Sequence, residues 1–143
     1  SVDADTAGGS INIGSAPSGV HVETAAGNIR LYDVAGAVRA ATAAGSIQAH
    51  FLAGQPLKEC RLETLGGRIV VFLPESLPIT VEATVDLANR LSRIVSEFSA
   101  IAVRRAEDGF GPGVVSASGS LNGGGPVLSI HNTGGRIQIR KRQ

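Results

Sequence analysis

Thr6-Ala-Gly-Gly-Ser-Ile11-Asn-Ile13 recurs as Thr24-Ala-Ala-Gly-Asn-Ile29-Arg-Leu31, as Thr42-Ala-Ala-Gly-Ser-Ile47-Gln-Ala49 and as Thr64-Leu-Gly-Gly-Arg-Ile69-Val-Val71. The first two steps are eighteen residues and the third is twenty-two. Looser copies follow at Ser116-Ala-Ser-Gly-Ser-Leu121-Asn-Gly123 and Asn132-Thr-Gly-Gly-Arg-Ile137-Gln-Ile139. The shared glycines are Gly9, Gly27, Gly45, Gly67, Gly119 and Gly135. A fixed period of this kind is the mark of a repeat architecture.

Each unit holds two short alternating runs around the Thr-x-x-Gly corner, such as Val20-x-Val22-x-Thr24 before it and Ile29-x-Leu31 after it. Alternation with a period of two describes half-buried strands, and glycine at a fixed corner supplies a positive φ without steric penalty. A five-residue run cannot bury its apolar face alone; stacking units in register closes a common core. The expected fold is therefore all-β, a single-stranded β-helix (β-solenoid) with coils of about eighteen residues. A left-handed hexapeptide helix fits poorly, because the aliphatic residues fall two apart and then skip the corner. A β-sandwich built of hairpins remains the competing architecture.

Length and composition agree with one domain over 1–143, with regular coils at 1–83, an irregular segment at 84–113 and final coils at 114–143. Hydrophobic residues make up 43% and charged residues 17%, too apolar a balance for disorder. Aromatics are scarce, with four Phe, one Tyr and no Trp, as suits a narrow core of Ile, Val, Leu and Ala. A formal charge of +1 removes the electrostatic argument for nucleic acid as a partner. Cys60 is the only cysteine, so neither an intramolecular disulfide nor a cysteine-based zinc site is expected. The longest apolar run, Ile69–Leu73, is strand-sized, and no membrane span is expected. There is no Met, and the sequence opens at Ser1 inside a patterned stretch, so a processed or trimmed chain is expected and a targeting segment is not seen.

Two stretches break the period. Phe51–Glu59 adds four residues, with Gly54 and Pro56, and reads as a longer loop. Between Pro74 and Pro112 the glycine corner is missing. Ile79-x-Val81-x-Ala83 reads as a strand, but Leu87, Leu91, Ile94, Val95 and Phe98 fall at helical spacing, which leaves open a short helix near 86–98. Ala106–Gly113 reads as a polar loop, and Arg140-Lys141-Arg142 is expected to guard a terminal sheet edge with charge.

The Thr-x-x-Gly-x-Ile-x-Leu unit, the closing Leu121-Asn-Gly-Gly-Gly-Pro126-Val-Leu-Ser-Ile-His-Asn132-Thr-Gly-Gly-Arg-Ile137-Gln-Ile139-Arg and the middle Val71-Phe-Leu-Pro74, Ile79-Thr-Val-Glu-Ala83 and Ser96-Glu-Phe98 resemble the bacterial DUF4097 family. Those β-strand-repeat proteins are often labelled adhesins. The resemblance covers nearly the whole chain and implies a right-handed β-solenoid in an exported or cell-envelope-associated protein. It carries no catalytic residues to transfer. The family often places a glycine where Leu87 to Arg93 stand here, a departure that bears on the helix.

Residues eighteen apart should stand side by side on adjacent coils. Asp3, Asp5, His21 and Glu23 would then form an exposed patch of three carboxylates and one imidazole, a weak candidate for a divalent cation by ligand type. A solvated ladder, with His21 between Asp3 and Arg39, is the favoured account. His50 and His131 have no companions at ligand spacing. Glycoside hydrolysis needs two carboxylates across one cleft, and only Asp3/Asp5 and Glu59/Glu63 lie close in sequence. The run Gly119-Ser-Leu-Asn-Gly-Gly-Gly-Pro126 lacks the Gly-Lys-Ser/Thr of a phosphate loop and reads as a turn. The threonine column Thr6, Thr24, Thr42 and Thr64 is expected to face inward and satisfy the corner's backbone.

The function expected is that of a non-enzymatic structural or adhesive module needing no cofactor. It would show ladders of Asn12, Arg30, Gln48 and Val70 to a protein or cell-surface ligand. The alternative is a self-assembling scaffold, a homo-oligomer joined end to end by strand pairing. A polysaccharide-active β-helix enzyme is the third and least favoured class.

Overall fold

A computed structural model describes residues 2–16, 18–52, 58–88, 93–106, 113–133 and 135–142. Its described elements are all β-strands, arranged in two sheets. The first eight strands are β1 (Val2–Thr6), β2 (Ile11–Ala16), β3 (Val20–Ala26), β4 (Ile29–Val34), β5 (Val38–Ala44), β6 (Ile47–Phe51), β7 (Cys60–Thr64) and β8 (Arg68–Pro74). Six more follow: β9 (Ile79–Ala88), β10 (Arg93–Ser96), β11 (Ala102–Ala106), β12 (Gly113–Leu121), β13 (Val127–Thr133) and β14 (Arg136–Arg142). The eight-stranded sheet runs β1-β3-β5-β7-β13-β9-β12-β11, and the six-stranded sheet runs β10-β14-β8-β6-β4-β2.

From β1 to β8 the chain alternates between the two sheets, and each strand pairs in parallel with the strand two places on. Val20 stands beside Val38, Thr24 beside Thr42 and Ile29 beside Ile47, in the register the eighteen-residue step demands. Hairpins would pair consecutive strands antiparallel, so this part of the chain is not a sandwich of hairpins.

The pleat sends alternate side chains inward. β3 and β5 bury their first, third and fifth residues, ending on Thr24 and Thr42. Isoleucine dominates the facing column: Ile11, Ile29, Ile47, Ile69, Ile137 and Ile94 lie strand against strand, and the four inner ones are fully buried. Each such side chain contributes about 1.5–3 kcal/mol through burial.

The corners explain the repeated residues. Thr42 Oγ1 donates to the carbonyls of Ala44 and of Gly27, one layer away, both at 3.1 Å. Thr24 and Thr64 make the same bond to Gly9 and Gly45. The glycine itself is required by crowding and by conformation. A Cβ on Gly45, where φ is +140°, would lie 2.0 Å from the carbonyl oxygen of Gly27.

Four expectations change. The helix considered over 86–98 is absent among the described residues: 86–88 close β9 and 93–96 form β10, while 89–92 lie outside them. Ile94 is buried and Val95 exposed, the alternation of a strand. Gly119 is no corner; it lies inside the continuous strand β12, which runs antiparallel to β9 and β11. A Cβ there would meet the carbonyl of Ala100 at 2.3 Å, so this glycine admits a neighbouring backbone.

The other two concern the end of the chain. The final coil does not follow the irregular segment in space: β13 pairs with β7 on one side and β9 on the other, while β14 lies between β8 and β10. The basic stretch 140–142 therefore ends an interior strand and guards no terminal edge; the outer strands are β1 and β11 of one sheet and β2 and β10 of the other. The expected loops at 51–59 and 106–113 fall largely outside the described residues, as 53–57 and 107–112.

Two crossovers frame the inserted strands β13 and β14. The turn after β8 carries the chain past one strand position to β9, and the Asn122–Pro126 segment returns it to the vacant place. Asn122, at φ +54°, donates from its side-chain amide to the carbonyls of Glu75 (2.7 Å) and Leu77 (2.9 Å). The Gly-Gly-Gly-Pro run is thus a turn, as its composition indicated, and Gly125 passes so close to Pro78 that a Cβ would lie 2.5 Å from its carbonyl oxygen.

Candidate functional site

The outer face of the eight-stranded sheet carries the charge. One outward column runs Asp5, Glu23, Ala41, Glu63, His131 and Thr84; beside it run Asp3, His21, Arg39, Arg61, Ser129 and Glu82. Ala41 is a short side chain between two glutamates. The dip it leaves, continued over Ala7, Ala25 and Ala43, forms an open groove of about 740 Å³ rimmed by Asp5, Glu23 and Glu63. A smaller hollow of about 240 Å³ lies on its other side, between His21, Arg39 and Arg61.

The structure brings three of the four candidate ligands together around His21. Its Nε2 lies 3.1 Å from Glu23 Oε1 and its Nδ1 4.0 Å from Asp3 Oδ1. Asp5 stands beside Glu23 in register without reaching the imidazole. Among the described residues no three His, Cys, Asp or Glu side chains converge to hold a metal ion. His21 and its partners are half exposed or more, a setting in which such pairs are worth about 0–1 kcal/mol. The acid pair Glu59/Glu63 is not assembled either, because Glu63 turns to Arg61 (3.6 Å) and His131 (3.9 Å).

Two constellations escaped the sequence. His131 Nε2 bonds the carboxylate of Asp86, and its Nδ1, without a hydrogen-bond partner among the described residues, lies 3.9 Å from Glu63 Oε1, so one half-buried imidazole stands between carboxylates of the two strands that enclose β13. These residues are far apart along the chain, and only the insertion of β13 unites them. The second constellation lies on the six-stranded sheet, where Tyr32, His50 and Phe72 stack. The Tyr32 and His50 rings are 5.7 Å apart at 26°, and those of His50 and Phe72 are 4.2 Å apart at 9°. Their spacings of eighteen and twenty-two residues equal the corner spacings, so this ladder was legible in principle. Beside it, Asn12, Arg30, Gln48 and Val70 form the expected outward row.

Comparison with known proteins returns no match: no family model fits the sequence, and neither a curated protein nor a solved structure is similar to the chain.

Proposed function

We propose that this chain is a right-handed, single-stranded β-solenoid that serves as a non-enzymatic structural or adhesive module of a bacterial cell envelope. The coil reading is supported by the alternation of β1 to β8 between two sheets with parallel pairing at a constant offset. Right-handed crossover between parallel strands of one sheet is the strong rule for polypeptides. The exported, DUF4097-like setting is supported by the Thr-x-x-Gly repeat and the Asn-Gly-Gly-Gly-Pro turn that joins its last two units.

The observation that carries the adhesive role is the registered display of outward side chains on both faces. Each column offers one group per strand, about 4.8 Å apart, on a scaffold whose buried residues are almost all apolar. A partner made of repeating units, such as a surface polysaccharide or an extended peptide, meets the same spacing repeatedly. The test is saturable binding of labelled protein to isolated bacterial cell-wall fractions, compared with an Arg30→Glu, Arg39→Glu double variant. Saturable binding that the variant loses supports the role; no binding above a β-rich control protein overturns it.

A second reading, end-to-end association, rests on β1 and β2 being the outer strands of both sheets at the same end. Light scattering coupled to size exclusion over a hundredfold concentration range separates the two. Open-ended growth supports the scaffold, and a constant mass removes it.

A further inference from the structure

On the outward face of the six-stranded sheet, Tyr32 stacks on His50 across the register irregularity between Leu31 and Val34, His50 stands beside Phe72 and Phe72 beside Arg140, and the row breaks at β2. There Ile13 pairs with Leu31 and Ser15 with Asp33, which places Gly14 opposite Tyr32. A Cβ built on Gly14 meets no atom within 4 Å, so the space above this residue is open. One face of the Tyr32 ring is covered by His50, and the residue as a whole is 41% exposed. Strand spacing of about 4.8 Å falls within the roughly 4.5–7 Å that separates stacked aromatic rings. A flat ring resting over Gly14 would therefore continue the stack on the uncovered face.

One cation, Arg30, borders this opening, and Asp33, beside Ser15, follows Tyr32 at the irregularity of β4. Arg30 lies two residues before Tyr32 on the same outward face, in register with Asn12, and both are exposed. The side chain of Arg30 makes no hydrogen bond or ion pair with any described residue. Its planar guanidinium is suited to bidentate pairing with a carboxylate or a similar oxyanion. An uncovered ring face beside an unpaired guanidinium, with a glycine floor, selects for both shape and charge.

We propose that Gly14, Tyr32 and Arg30 form a slot for a planar aromatic anion, its ring stacked on Tyr32 over Gly14 and its anionic group held by Arg30. The slot stands independently of the envelope role, because it needs only the geometry of β2 and β4. Tyr32 is the sole tyrosine, so chain labelled with ¹³C-tyrosine gives one ring signature that reports the slot directly.

The experiment titrates labelled protein with 2-naphthoate, with 2-naphthamide as a flat neutral control and cyclohexanecarboxylate as a non-planar anion. A saturable shift of the Tyr32 resonances by naphthoate is expected, with naphthamide and the Arg30→Gln variant about tenfold weaker, as loss of a charge-assisted contact implies. Gly14→Leu fills the slot and abolishes the shift. Its fold is kept because the position is open and its backbone is ordinary, which circular dichroism and a thermal melt verify. An absent or non-saturable shift overturns the proposal, as does equal binding of cyclohexanecarboxylate or an unaltered shift in Gly14→Leu. A Tyr32 shift that follows protein concentration without ligand also overturns it, since the ring in the slot then comes from a second copy.

Discussion

The side-chain amide of Asn132 donates to the carbonyl of Gly67 at 3.0 Å, as the hydroxyl of Thr64 does to the carbonyl of Gly45 at 3.0 Å in the layer below. The two residues are register partners, so the corner network passes through the inserted coil with one change of residue. Asn132 also donates to the carbonyl of Arg136 at 3.0 Å, and its Oδ1 is buried without a partner among the described residues. Thr64→Val, nearly isosteric, leaves the Gly45 carbonyl without this donor and should cost about 1–2 kcal/mol. Asn132→Leu removes two donations and should cost about 2–3 kcal/mol. Asn132→Thr keeps one donation and removes the orphaned oxygen, so a change within about 1 kcal/mol is expected. Urea denaturation of the three variants checks the ranking; a neutral Thr64→Val would refute the corner's energetic role.

Glycines of two different corners should respond unequally to alanine. Gly45→Ala drives a Cβ into the Gly27 carbonyl and strains a left-handed residue, with an expected cost above about 3 kcal/mol. Gly8→Ala meets nothing within 4 Å and should change stability by no more than about 0.5–1 kcal/mol. Thermal melts of the two variants suffice. Equal effects would mean that the layers can move apart at the corner.

The corner made the first four units legible because it couples a hydroxyl, a glycine and two alternating runs at one interval, and each has a physical task. Thr24, Thr42 and Thr64 were expected to face inward and bond backbone, and they do. Gly119 resembled a looser copy of the corner in sequence yet lies mid-strand, since a backbone passing close by demands glycine as firmly as a turn does. The insertion of β13 was not legible: its alternation fits any parallel neighbour, and nothing local says that β9 leaves a place open. Without that placement His131 looked solitary, although Asp86 and Glu63 flank it in space. Tyr32, His50 and Phe72 were missed for another reason, because counting aromatics by composition hides that three rings share one column.

The Asn122 staple should decide how firmly the inserted coil is held. Asn122→Gly keeps the positive φ but loses both bonds to the turn after β8, an expected cost of about 1–2 kcal/mol. Asn122→Ala adds the strain of a Cβ in the left-handed region, roughly 1 kcal/mol more. Hydrogen exchange should show amides of β13 and β14 losing protection together with those of β9, since β13 pairs with β9 directly. Loss confined to the turn itself would show that the crossovers do not secure the coil.

Cys60 supplies a pH test with a definite sign. It is buried between Val38 and Leu128 in the core column, and desolvation pushes its thiol from 9.0 up to about 11, against a smaller opposing effect of a backbone hydrogen bond at Val38. The folded state therefore keeps its proton where the unfolded state releases it. Stability from this group is complete below pH 9 and falls as pH rises towards 11, by about 1.4 kcal/mol per pH unit and just under about 3 kcal/mol in all. Other groups titrate in the same window, so the quantity to measure is the difference between the wild type and Cys60→Ala. Cys60→Ala starts less stable by about 1–2 kcal/mol from the lost packing and should converge on the wild type between pH 9 and 11. Parallel pH profiles would show that the thiol ionises as easily in the core as in the unfolded chain. A thiol-specific disulfide reagent at pH 8 gives the kinetic counterpart, with reaction at the rate of unfolding in the native protein and at once in urea.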